Sequence, residues 1–182
     1  GYTDISPFDH RDVILGQATI ALELLDERPD LTQIVVPLSG GGLLGGVAFA
    51  AKQIKPEIRV IGVSMEHGAA MHESLKAGHP ILVTEVPSLA DTLGGGINLG
   101  NQWTFGLCRD HADATLLVSE TEIYRGMQAL IRRERLVAEG GGAVGIAALL
   151  AGKLKIDGPT AMIISGQNAD LDQVIAVARG EP

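Results

Sequence analysis

A short apolar run, Ile34-Val35-Val36-Pro37-Leu38, passes straight into Ser39-Gly40-Gly41-Gly42 and then into a helical pattern from Leu43 to Ile54. A run that is apolar at every position reads as a strand buried on both faces, the interior of a parallel sheet with helices on each side. Consecutive glycines let backbone N–H groups turn inward without a Cβ in the way, and the following helix presents its positive N-terminal end. Together they make an anion cradle, and a phosphate fits there. A tight strand-to-helix turn with no ligand fits the same letters. So does dinucleotide binding, because Gly40, Gly42 and Gly45 satisfy G-x-G-x-x-G after a strand. Against that last reading, the next strand, Arg59 to Val63, ends at Ser64 where a ribose-binding acid is expected, and Glu66 comes too late.

The alternation of strand and helix continues along the chain. From Asp12 an apolar stripe of Val13, Gln17, Ile20, Ala21, Leu24 and Leu25 predicts a helix ended by Arg28-Pro29. After the second strand come a helix from Ala69 to Ala77 closed by Gly78, a short strand at Ile81 to Val83, and a glycine-rich loop from Asp91 to Gly96. Asn101 to His111 reads as a helix and Thr115 to Val118 as a strand. Ser119 with Glu122 forms a capping box opening a helix to about Arg133. Glu139-Gly140-Gly141-Gly142 opens another helix, from Ala143 to Leu150, and Met162 to Ile164 is the last strand, entering Ser165-Gly166-Gln167-Asn168. The pattern predicts an α/β fold with a doubly wound, mostly parallel sheet in a single domain.

With a net charge of −8 and no basic stripe, the chain is ill suited to nucleic acid or an anionic membrane surface, and a small molecule is the expected partner. No apolar run reaches the roughly 20 residues that span a bilayer. The start, Gly1-Tyr2-Thr3-Asp4, lacks the basic and apolar regions of a signal peptide and reads like the middle of a protein. The lone Cys108 excludes an internal disulfide and any multi-cysteine zinc pattern, which points to a reducing cytoplasm. Of the histidines, only His67 and His72 are closely spaced; they read as surface residues, and no metal site is expected. Lys52, Lys55, Lys76, Lys153 and Lys155 read as solvated charges, and Trp103 and Phe105 are expected to pack on the sheet.

The run Pro7-Phe8-Asp9, Val13-Ile14, Gly16 to Glu23, then Val35 to Leu43 resembles the fold-type II pyridoxal-phosphate (PLP) enzymes, specifically the serine/threonine dehydratases and serine racemases. The resemblance continues through Val60 to Val63, Ser74 to Gly78, Leu89 to Asp91, Leu136 to Gly140 and Ser165 to Asn168, and so covers essentially the whole chain. Ser88 to Ile97 also resembles the hydroxyectoine-utilisation dehydratases within that family. The implied fold is that of the tryptophan synthase β-like large domain.

The resemblance implies PLP as cofactor, its phosphate held by Ser39, Gly40, Gly41, Gly42 and Leu43 and its pyridine nitrogen facing Ser165. Glu139 and the loop Gly94 to Gly96, Gly94 first, would lie beside the ring. Taken without the resemblance, Ser165 reads equally as a strand-end helix cap, and Glu139 as an acid welcomed by a helix dipole. The implied reaction removes water and ammonia from a β-hydroxy amino acid, leaving a 2-keto acid. Racemisation, β-replacement and a non-catalytic phosphate-binding domain are the alternatives.

The chain departs from the family in several places. Ser64 and Ala69-Ala70 stand where some members bind a divalent cation, and Gln167 replaces the second glycine of the family's Ser-Gly-Gly-Asn. The catalytic lysine of Ser-x-Lys and the Ser-Ser-Gly-Asn loop that takes the substrate carboxylate have no counterpart. The chain is therefore expected to be the C-terminal part of the PLP-binding large domain of an enzyme that is a homo-oligomer, a dimer, when intact.

Overall fold

The computed structural model describes residues 2, 3 and 5–181; Gly1 and Asp4, part of the start read above as lacking a signal peptide, lie outside the described residues. The elements in chain order are α1 (Arg11–Glu27), β1 (Gln33–Pro37), α2 (Gly42–Ile54), β2 (Arg59–Met65), α3 (Ala70–Ala77) and α4 (Thr104–His111). They continue with β3 (Ala114–Val118), α5 (Glu120–Ala129), α6 (Gly140–Leu150), β4 (Thr160–Met162) and α7 (Leu171–Arg179).

The sheet is parallel throughout, in the order β3-β2-β1-β4. Val35 of β1 stands between Ile61 of β2 and Met162 of β4, and every residue of β1 is buried. Its side chains alternate between two cores, as strand geometry requires. Ile34 and Val36 join α1, α2 and α4 on one face, through Ala21, Val47 and Phe105. Val35 joins α5 and α6 on the other, through Met127, Val144 and Ala147. Helices thus cover both faces, and the doubly wound α/β reading holds.

The chain moves outward from β1 to β2 to β3 and then returns to the opposite side of β1 as β4. The strand order therefore reverses between β1 and β4, and in open parallel sheets ligands collect at such a switch, beyond the carboxyl ends of the strands. The glycine run follows β1 and Ser165 follows β4, so the topology brings both to that point.

Several boundaries differ from the sequence expectation. Ile81 to Val83 is not a strand; the Ile81 N–H donates to Ser74 Oγ at 3.0 Å, leaving the segment out of the ladder. β2 continues to Met65, so Ser64 lies inside the strand and is buried. Helix α4 starts at Thr104, not at Asn101, because the carboxylate of Asp9 takes the N–H groups of Gln102, Trp103 and Thr104. Trp103 is 47% exposed and does not pack on the sheet, whereas Phe105 does enter the core. The capping box at Ser119 and Glu122 forms, and the helix it opens ends in a π turn, Leu130–Glu134. The helix expected near Asn168, with Ser165 as its cap, begins instead at Leu171 as α7 and is capped by Asp170.

The lysines are not all solvated. Lys52 Nζ donates to the Ile58 carbonyl at 2.6 Å and pairs with Asp113 at 2.9 Å. Lys55 donates to the carbonyls of Pro29 and Leu31. Lys153 bridges Glu66 and Glu122, at 3.2 and 2.7 Å. None of the described helices is long and apolar enough to cross a membrane.

Candidate functional site

A cavity of about 470 Å³ opens at the switch point between β1 and β4. All eight residues singled out in the sequence line it: Ser39, Gly40, Gly41, Gly42, Leu43, Gly94, Glu139 and Ser165. No lysine, arginine or histidine is among its lining residues. Among the described residues, what the cavity offers an anion is backbone dipoles.

The glycine run forms the floor. Gly41 takes the left-handed conformation, φ +89°, and serves as N-cap of α2 without any side-chain cap. Among the described residues no backbone acceptor takes the N–H of Ser39, Gly40 or Gly41. The first N–H groups of α2 have no partner within the helix either. A run of unmatched donors at a helix N-terminus, lining a cavity, is a ready-made anion site. These donors and the cavity's size fit a phosphate-bearing cofactor.

The floor is clasped from two sides. A Cβ on Gly40 would overlap the ring of Phe8, and one on Gly42 would lie 2.9 Å from Phe8 Cα and its carbonyl oxygen. Behind the turn, a Cβ on Gly41 would meet Met71 Cε at 2.6 Å, Cys108 Sγ at 3.0 Å and Thr104 Cβ at 3.2 Å. Cys108 is buried and its S–H donates to the Gly41 carbonyl at 3.6 Å; burial pushes the thiol pKa up to about 12, so it stays protonated.

The opposite wall is the start of α6 with the turn after β4. The Glu139 N–H donates to the Gly166 carbonyl at 3.1 Å. Gly142 lies so close under the Ser165 carbonyl that a Cβ there would overlap it. Gly166, with φ +75°, leaves room for the Glu139 carboxylate. Ser165 and Glu139 are both half-buried at this wall.

Phe8, Gln17, Thr92 and Gly141 also line the cavity and were not proposed as site residues from the sequence. For Phe8 the signal in the sequence is its place in Pro7-Phe8-Asp9, one of the runs that carry the family resemblance. Gly95 and Gly96, neighbours of Gly94, are not lining residues. His72 Nδ1 lies 2.7 Å from Thr115 Oγ1, and among the described residues no group of three His, Cys, Asp or Glu gathers as metal ligands would.

The family profile described as pyridoxal-phosphate dependent enzyme matches residues 1–166. A putative threonine dehydratase of Sinorhizobium fredii is 50% identical over 172 residues, covering 94% of this chain and 52% of that protein. The catabolic L-threonine dehydratase TdcB of Escherichia coli K12 is 42% identical over 173 residues, covering 93% of this chain and 52% of that one. Maize serine racemase superposes with a TM-score of 0.85 at 32% identity, over 97% of this chain and 54% of the racemase. The chain spans about half the length of these relatives. With the family match covering nearly all of its length, the chain belongs to the pyridoxal-phosphate dependent enzymes.

Proposed function

We propose that the chain is the cofactor-holding, C-terminal part of a PLP-dependent dehydratase that releases water and ammonia from a β-hydroxy amino acid of the threonine or serine type, giving a 2-keto acid. The observation that carries this reading is the convergence of the glycine turn, Glu139 and Ser165 on one cavity at the sheet's switch point. It is supported by the threonine dehydratase relatives at 42–50% identity.

When bound, PLP supplies an electron sink for negative charge developing at the substrate α-carbon. The backbone donors of Ser39 to Leu43 hold the phosphate. Ser165 would face the pyridine nitrogen with its hydroxyl; being neutral, it would not fix a proton there as a carboxylate does, which would keep the sink mild and favour elimination of a β-leaving group. Glu139 and Gly94 border the ring. The lysine that moves the α-proton comes from a segment N-terminal to these residues. In keeping with that, Lys52, Lys55 and Lys153 are engaged away from the cavity. We further place the intact enzyme in a reducing cytoplasm, in keeping with a buried unpaired thiol at Cys108, and take it to be a dimer.

The test is to supply the full-length protein with PLP and L-threonine, L-serine or amino acids derived from hydroxyectoine, and to measure keto acid and ammonia. Their release supports the dehydratase. Appearance of the D-amino acid without keto acid identifies a racemase, the reading that the fold shared with maize serine racemase keeps in view.

A further inference from the structure

Asp9 makes an unusual set of contacts for a loop carboxylate. Its Oδ2 accepts from the Gln102 N–H at 2.7 Å, and its Oδ1 accepts from the N–H groups of Trp103 and Thr104 at 2.9 and 3.0 Å. One carboxylate therefore takes three donors at the start of α4, more than ninety residues further along the chain. The loop that carries it is itself fixed on both sides: the Asp9 N–H donates to Ser6 Oγ at 3.0 Å, and His10 Nδ1 accepts from the Asp12 N–H at 3.2 Å at the start of α1.

The two pieces that Asp9 joins are the two that clasp the glycine turn. Phe8, its neighbour, covers Gly40 and Gly42 from one side. Thr104, its hydrogen-bond donor, touches Gly41 from the other, with Cys108 one helical turn beyond. Phe8 precedes the first helix on an irregular segment, and an irregular segment is free to lift unless something ties it down.

We infer that Asp9 is a positioning residue for the phosphate site: it straps Phe8 to α4 across the glycine turn, so that the turn keeps its donor geometry and the phosphate is shielded from water on the Phe8 side. This deepens the proposed function and rests on the phosphate lying in the turn. The physical basis is that charge-assisted hydrogen bonds to a carboxylate are stronger than neutral ones, so three of them hold the loop better than packing of one ring alone. Shielding matters because the donors in the turn are worth more to an anion once water is excluded.

The experiment compares dissociation constants for PLP and for pyridoxal, which lacks the phosphate, by absorbance titration of the full-length protein. It uses the wild type, Asp9→Asn, Phe8→Ala and the double variant, each first matched to the wild type by circular dichroism. Asp9→Asn keeps shape and one acceptor oxygen but turns an amide N–H₂ toward the Gln102 N–H, so it loosens the strap without emptying the site. We expect it to weaken PLP about tenfold, the low end of the worth of one hydrogen bond to a charged group, and to leave pyridoxal unchanged. Phe8→Ala should do the same, and adding Asp9→Asn to it should cost little more, because the strap then has nothing to hold. Equal weakening of PLP and pyridoxal, an unchanged PLP constant, or fully additive effects would each overturn the inference. A wild type that binds PLP no more tightly than pyridoxal would instead remove the underlying phosphate assignment, and the inference with it.

Discussion

The Glu139 N–H donates to the Gly166 carbonyl at 3.1 Å, tying the first turn of α6 to the turn after β4. That bond brings an acid and a serine from separate parts of the chain to one wall of the cavity, facing the glycine floor laid down by β1 and α2. The wall depends on glycines as much as on the bond, since Gly142 has no side chain to push Ser165 away.

Replacing Gly142 with Ala should therefore displace Ser165. The added methyl would overlap the Ser165 carbonyl, which is backbone and cannot rotate aside. We expect a loss of about 1–3 kcal/mol of stability, the usual cost of overpacking, together with weaker PLP binding. Gly145→Ala on the same helix is the control, because the methyl meets only Val35 Cγ1 at an ordinary 3.5 Å. Thermal melts and PLP titration of both variants decide the matter; equal behaviour would contradict the account of the wall.

The floor can be tested in the same manner. Gly41 and Gly78 share a left-handed backbone, φ +89° and +80°, but only Gly41 is crowded, by Met71 and Cys108. Gly78→Ala should cost about 1–2 kcal/mol from backbone conformation alone. Gly41→Ala should cost more in urea unfolding and should also weaken PLP binding, which Gly78→Ala should leave intact. If the two lose equal stability and bind PLP alike, the clasp behind the turn has been misread.

A third prediction concerns pH. Burial opposes the charge of Glu122, yet hydrogen bonds from Lys153 and the Ser119 N–H outweigh it and hold its carboxyl below the usual carboxylate range. A group depressed on folding contributes stability that is complete above its unfolded value and is lost as pH falls through the folded one. Lys153 is raised, chiefly by Glu122, so its share is complete below the ordinary lysine range and lost only as pH rises through the raised value. The melting temperature of the wild type should thus fall more steeply than that of Glu122→Gln once pH drops below about 4.3, the unfolded glutamate value. Parallel curves for the two proteins would show that the bridge contributes nothing.

Periodicity makes most of the fold legible in the sequence. The fully apolar β1, the capping box at Ser119 and the glycine that ends α3 are local signals, and each element formed where its signal lay. What was not legible is what depends on distant partners. Helix α4 begins late because Asp9, far away in sequence, takes its first N–H groups. Ile81 to Val83 has strand composition but finds Ser74 rather than a ladder. The glycine turn could be chosen from its own motif and Gly94, Glu139 and Ser165 only from the family resemblance, whereas Phe8, Gln17 and Thr92 reach the cavity through tertiary packing, to which no spacing in the sequence points.

The central claim is that the glycine turn is the seat of the PLP phosphate, and the most direct measurement is a crystal structure of the full-length protein grown with PLP. The account predicts the phosphate within hydrogen-bonding distance of backbone N–H groups between Ser39 and Leu43, with the ring running toward Ser165 and Glu139. Finding the phosphate anywhere else, or the ring turned away from Ser165, would contradict it.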